Sequence, residues 1–113
     1  MRVISQNGKS DIPYEYFVFS IVGNSNSYSI IATKNIAESP EVIMNSIFAT
    51  YSTEAKAIKA MEMLREQHEK VAFLKTIINT EKGISFVRGL SKTDFDKMTQ
   101  NYFQFPKDDE MEV

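Results

Sequence analysis

The hydrophobic pattern changes period several times along the chain, and each change marks an element. Residues 2–6 read as a short strand closed by Asn7-Gly8, the strongest short hairpin signal because both residues tolerate positive φ. Pro13 demotes the returning segment to an edge strand or a bend. Residues 14–22 then alternate, with Phe17, Phe19 and Ile21 on one face and Tyr16, Val18 and Val22 on the other. A strand that is apolar on both faces is covered on both, by its own chain or by a second subunit.

A turn at Gly23-Asn24-Ser25-Asn26 leads to a strand over residues 27–33, in which Tyr28, Ile30 and Ala32 point together. Residues 34–41 are polar and predict a loop. Residues 42–51 are β-branched and aromatic enough for another strand, with a helical alternative around 41–45. The period then becomes helical: Ala57, Met61, Leu64 and His68 recur at i, i+4, i+7 and i+11, and Ile58 broadens the stripe. With Ser52 as N-cap and Glu54 in the first turn, the spacing predicts an amphipathic helix over about residues 53–70.

Beyond it, residues 71–79 read as a strand, 80–83 as a turn and 84–88 as a further strand. Ser91 and Thr93 compete to cap a short helix over about residues 92–101, with Phe95 and Met98 inward. Residues 102–105 are extended and Pro106 ends the fold. The expectation is an α+β domain over residues 1–106 with a mostly antiparallel sheet. An acidic, mobile tail follows over 107–113, with four acids against one lysine.

Composition narrows the chemistry. The chain has 113 residues, a net charge of -2 and no cysteine. The charge argues against general nucleic-acid binding, which normally shows a basic excess. The missing cysteine removes disulfides, thiolate metal sites and thiol nucleophiles. No apolar run reaches signal-peptide or membrane-spanning length, so a cytoplasmic location is expected.

His68 is the single imidazole and reads as a satisfied, partly buried side chain favoured by a nearby helix C-terminus. No Gly-x-Ser-x-Gly elbow occurs, and Asp94 and Asp96 fall on different sides of their helix. The expectation is a protein without catalysis, cofactor or metal. What the residues do offer is thirteen Phe and Tyr and only three arginines. Aromatic faces stack on planar rings, and a guanidinium forks onto phosphate. Arg88, before Gly89 at an expected strand end, and Arg65, on the helix, join Tyr16, Tyr14 and Phe86 as the candidate ligand-binding set. The two-faced strand and six methionines further predict a homo-oligomer, whose seams would offer concave sites.

Three stretches also carry a resemblance. They are Met1-Arg2-Val3-Ile4-Ser5-Gln6-Asn7-Gly8 with Asp11-Ile12-Pro13-Tyr14-Glu15; Tyr51-Ser52-Thr53-Glu54 with Lys56-Ala57 and Lys59-Ala60-Met61-Glu62-Met63-Leu64-Arg65-Glu66; and Phe103-Gln104-Phe105-Pro106 with the acidic tail. Together, about a third of the chain resembles small proteins encoded by phages and prophages of Gram-positive bacteria. That resemblance implies a counter-defence protein of the bacterial cytoplasm, non-enzymatic and oligomeric, which sequesters a cyclic nucleotide or cyclic ADP-ribose immune signal. The alternatives it leaves are an inhibitor of a host defence complex, as anti-CRISPR proteins are, and a phage accessory or structural protein. It assigns no binding residue.

Overall fold

In a computed structural model, residues 1–23, 25–34, 46–77, 80–89, 91 and 100–112 are described. They form an α+β fold of two three-stranded sheets and a long helix. Strands β1 (Arg2–Ile4) and β2 (Asp11–Pro13) pair antiparallel, with Val3 opposite Ile12. The connection between them is wider than a two-residue hairpin. Asn7-Gly8 still makes the turn, Gly8 taking φ +74, while Asn7 Oδ1 accepts from Ser5 Oγ at 2.7 Å and from the Lys9 N–H at 2.9 Å. β2, which ends on Pro13, lies at the sheet edge as expected.

The chain next makes one 3-10 turn, Tyr14–Tyr16, where the sequence pattern suggested that the strand had begun. It then runs through a meander: β3 (Phe17–Gly23), β4 (Tyr28–Lys34) and β5 (Ser46–Tyr51), paired antiparallel in that order. Residues 42–45 of the expected last strand lie outside the described residues. The alternation read from sequence holds in the central strand, where Ile30 and Ala32 are fully buried. A bulge between Ile30 and Ile31 resets the register, so that Phe48 and Ala49 are both inward and Ile47 is outward. At the far end of β3 the Tyr28 ring lies over Gly23 so closely that any side chain there would displace it.

Helix α1 runs Glu54–Ile77, seven residues past its expected end. The β-branched run after Lys70 has the local composition of a strand, but Val71 and Leu74 continue the buried stripe of Ala57, Ala60 and Leu64. Burial on a continuous helical face outweighs a propensity difference of at most about 0.7 kcal/mol per residue. The cap is Thr53, whose Oγ1 accepts the Lys56 N–H at 3.2 Å, rather than Ser52. Ile58 turns away from the core and is exposed, and its place in the stripe is taken by Ala60.

Residues 81–88, expected as a turn followed by a strand, form helix α2 (Glu81–Arg88). Its first turn carries Glu81 and its last Arg88, the charge order that suits the helix dipole. Of the expected helix over 92–101, residues 92–99 lie outside the described residues, and Gln100 and Asn101 are not helical.

Strand β6 (Tyr102–Gln104) returns to lie parallel to β1, with Phe103 opposite Val3. Phe103 and Phe105 pack edge to face at 5.2 Å and complete the core over Val3, Tyr51 and Leu64. The segment expected as a mobile tail is instead folded onto the domain. Asp108 accepts the Ser52 N–H at 2.8 Å and the Ser52 hydroxyl at 3.0 Å, and it pairs with Lys56 at 3.4 Å. A 3-10 turn, Asp108–Glu110, then delivers Met111 to the core, where it is buried. A run of acids looks solvated in one dimension, but here one carboxylate serves the start of α1 and one apolar residue anchors the end.

Candidate functional site

A groove lies between the start of β3 and the middle of α1. The 3-10 turn and β3 supply Tyr14, Glu15, Phe17, Val18 and Phe19; α1 supplies Met61, Leu64, Arg65 and His68. Its volume, about 640 Å³, falls inside the roughly 300–1,000 Å³ typical of small-molecule sites. Helical spacing explains the α1 wall. Residues 61, 64, 65 and 68 follow the i, i+3, i+4, i+7 rule, so one stretch of helix presents two apolar groups, a guanidinium and an imidazole together.

An aromatic row lies against this wall. The Tyr14 ring stacks on His68 at 4.1 Å between centroids and 26° between planes, and on Phe19 at 6.0 Å and 17°. Phe19 in turn meets Phe48 and Phe105, at 6.0 and 6.1 Å, which ties the row to the core. The row is therefore rigidly backed, a condition for stacking a further planar ring without ordering the protein first.

His68 is not the satisfied histidine expected. Its Nδ1 is buried and has no hydrogen-bond partner among the described residues, and with α1 continuing to Ile77 it is not near a helix end. Its partner is a ring face, which offers Nδ1 nothing in return.

The charges in the groove separate into one spent pair and one available cation. Glu15 Oε1 accepts from the Met1 ammonium at 2.7 Å, and that contact holds the Glu15 carboxyl below its usual value. With Glu15 occupied, no carboxylate among the described residues lies within ion-pair distance of Arg65. On its outer side Arg65 borders a shallower cleft with Glu62, Glu66 and Glu69, which offset part of its field. A single guanidinium in that setting suits one or two negative charges rather than a polyanion.

Two of the five candidates read from sequence, Tyr14 and Arg65, thus meet in one groove. The others do not join them. Tyr16, two residues beyond Tyr14 in the same 3-10 turn, points to solvent and is 66% exposed. Arg88 is the last residue of a helix, not of a strand, and does not line the groove. Phe86 falls in the same helix, its side chain outside the description. His68 and Phe19 are the residues that sequence reading undervalued. The signal for His68 was its position three residues after Arg65, on the apolar side of one helix.

Comparison with protein-family models, with curated proteins and with solved structures gives no match. The site therefore stands on its own geometry. Among the described residues no cluster of three His, Asp or Glu could hold a metal ion, and no helix is long and apolar enough to cross a membrane.

Proposed function

We propose that the protein binds and sequesters, without transforming it, a small planar ligand carrying one or two negative charges. The resemblance to small phage- and prophage-encoded proteins, with the counter-defence role it implies, makes a cyclic nucleotide or cyclic ADP-ribose immune signal the class to test. One observation carries the reading: Tyr14 and Arg65, distant in sequence, line one groove with a backed aromatic row and a cation that no carboxylate among the described residues neutralises at contact distance. A planar base against the row and a phosphate on Arg65 would use both features at once. Base–aromatic stacking contributes roughly 1–3 kcal/mol per base, and a charge-assisted hydrogen bond to a charged group about 1.5–3 kcal/mol.

The test is a thermal-shift screen against cyclic dinucleotides, cyclic trinucleotides and cyclic ADP-ribose isomers. A ligand present at about 100 times its Kd stabilises the native state by roughly 2.7 kcal/mol, which is several degrees for a domain of this size. The expected result is such a shift for one compound, with the compound recovered intact after heating. Arg65→Ala and Tyr14→Ala should each remove most of the shift, whereas Arg88→Ala should keep it. A shift untouched by the first two substitutions, or none with any compound, contradicts the reading. In the second case the weight passes to an inhibitor that binds a host defence protein.

A further inference from the structure

We infer that the free edge of β3 is a self-association surface, on which a second copy of this chain adds its own β3 antiparallel around a two-fold axis near Ser20. The observation is an imbalance among the strand edges. β2 and β6, the edges of the smaller sheet, are three residues each, and β2 ends on Pro13. The outer edge of β5 is closed by Gln6: its N–H donates to the Phe48 carbonyl at 2.7 Å, its Oε1 accepts the Thr50 N–H at 3.1 Å and its Nε2 donates to the Thr50 carbonyl at 3.2 Å.

β3, by contrast, has seven residues, Phe-Val-Phe-Ser-Ile-Val-Gly, with no charge and no proline. Among the described residues nothing pairs with its outer edge. Folded proteins guard such an edge with lysine, proline, a bulge or a covering element, because unpaired backbone groups recruit another strand. Among the described residues none of those devices guards β3.

The occupant follows from the strand's own pattern. Turned about Ser20, β3 is complementary to itself. Val18 falls opposite the partner's Val22 on the outer face, Phe19 falls opposite the partner's Ile21 on the inner face, and no like charges meet. Val18 and Val22 are 52% and 54% exposed in the single chain, large values for β-branched residues in a sheet. A symmetric two-fold contact needs this kind of patch, one that reads the same in both directions. Apolar and β-branched cross-strand pairs contribute about 0.2–1 kcal/mol each, in addition to the new backbone ladder.

A consequence concerns the groove. Phe17, Val18 and Phe19 belong both to this edge and to the groove wall, so a paired second copy would run beside each groove and leave two grooves flanking one seam. That consequence rests on the ligand reading above; the strand pairing does not.

The experiment separates the two. Light scattering on the full chain at micromolar concentration should give twice 12.9 kDa. Val18→Lys/Val22→Lys sets like charges opposite each other twice and should weaken the dimer roughly tenfold or more. Val18→Lys/Val22→Glu sets opposite charges in the same places and should restore it; within one chain these positions are too far apart to pair, so recovery reports the contact between copies.

Should the lysine pair prevent folding, Ser20→Cys decides. Residues directly opposite in an antiparallel pair have Cα atoms roughly 4.5–5.5 Å apart, within disulfide range, and the chain has no other cysteine. Mild oxidation should therefore give a covalent dimer, and Ser29→Cys should not. A monomeric native mass, a dimer indifferent to the lysine pair, or no cross-link through Ser20→Cys overturns the proposal. Ligand shifts are read separately, so a dimer without a ligand refutes only the groove reading.

Discussion

The two outer edges of the meander sheet differ in what finishes them. At the β5 edge, Gln6 bonds along the strand, the Tyr51 hydroxyl donates to the Pro106 carbonyl at 2.7 Å, and Gln6 Nε2 reaches the same carbonyl at 3.0 Å. Three distant parts of the chain converge there, and burial pushes the Tyr51 phenol well above its ordinary range. At the β3 edge, two valines face solvent, a groove opens toward α1, and an arginine stands in it with an imidazole whose Nδ1 has no hydrogen-bond partner among the described residues. The first edge is arranged to hold the fold closed. The second leaves two valines exposed and a buried imidazole nitrogen without a hydrogen-bond partner among the described residues, groups that a bound partner would cover.

Substitutions should separate these edges, most strongly where the core meets the closed one. Phe105, which is 1% exposed, joins Phe103 to Phe19 behind both the closed edge and the aromatic row. Phe105→Ala should cost about 3–5 kcal/mol in denaturant unfolding. A loss below about 1 kcal/mol would show that the C-terminal segment does not hold the core. The direct contrast is next. Gln6→Ala removes three side-chain hydrogen bonds, with the Thr50 N–H, the Thr50 carbonyl and the Pro106 carbonyl, and should cost roughly 1–3 kcal/mol, whereas Val22→Thr, at low protein concentration, should stay within about 0.5 kcal/mol. Equal costs at the two edges would remove the distinction.

The smallest effect is in pH. Glu15, beside the Met1 ammonium, and Asp108, bonded to Ser52 and Lys56, both have carboxyls held below their ordinary values of 4.5 and 3.8. A depressed carboxylate contributes stability that is complete above its unfolded value and is lost as pH falls through its folded value. Unfolding free energy should therefore be level near neutrality and decline below about pH 4.5. The decline should be shallower in Asp108→Asn. A stability that rises on acidification would contradict both contacts.

Much of the fold was legible because it is local. The alternation through Ile30 and Ala32, the Asn7-Gly8 turn, Pro13 at an edge and the onset of α1 near Glu54 each follow from a few neighbouring residues. What was missed depends on partners remote in sequence. Residues 71–77 carry strand-like side chains, yet Val71 and Leu74 lie in register with Leu64 and bury as helix. Residues 80–83 read as a turn and 84–88 as a strand for the same local reason, yet 81–88 form α2. The parallel pairing of β1 with β6, and Asp108 at the start of α1, join the two ends of the chain and leave no local mark. The site was half legible: residue type pointed to Tyr14 and Arg65, but only the packing of the 3-10 turn and β3 against α1 separates them from Tyr16, which faces solvent, and Arg88, which ends α2.

The groove at the open edge is where the proposed ligand would sit. The most direct measurement is an amide and side-chain NMR titration of the native protein with each cyclic nucleotide and cyclic ADP-ribose isomer. Saturable shifts are expected for one compound, gathered on Tyr14, Phe19, Leu64, Arg65 and His68 and lost in Arg65→Ala. Shifts gathered on α2 around Arg88, or none with any compound, would contradict it.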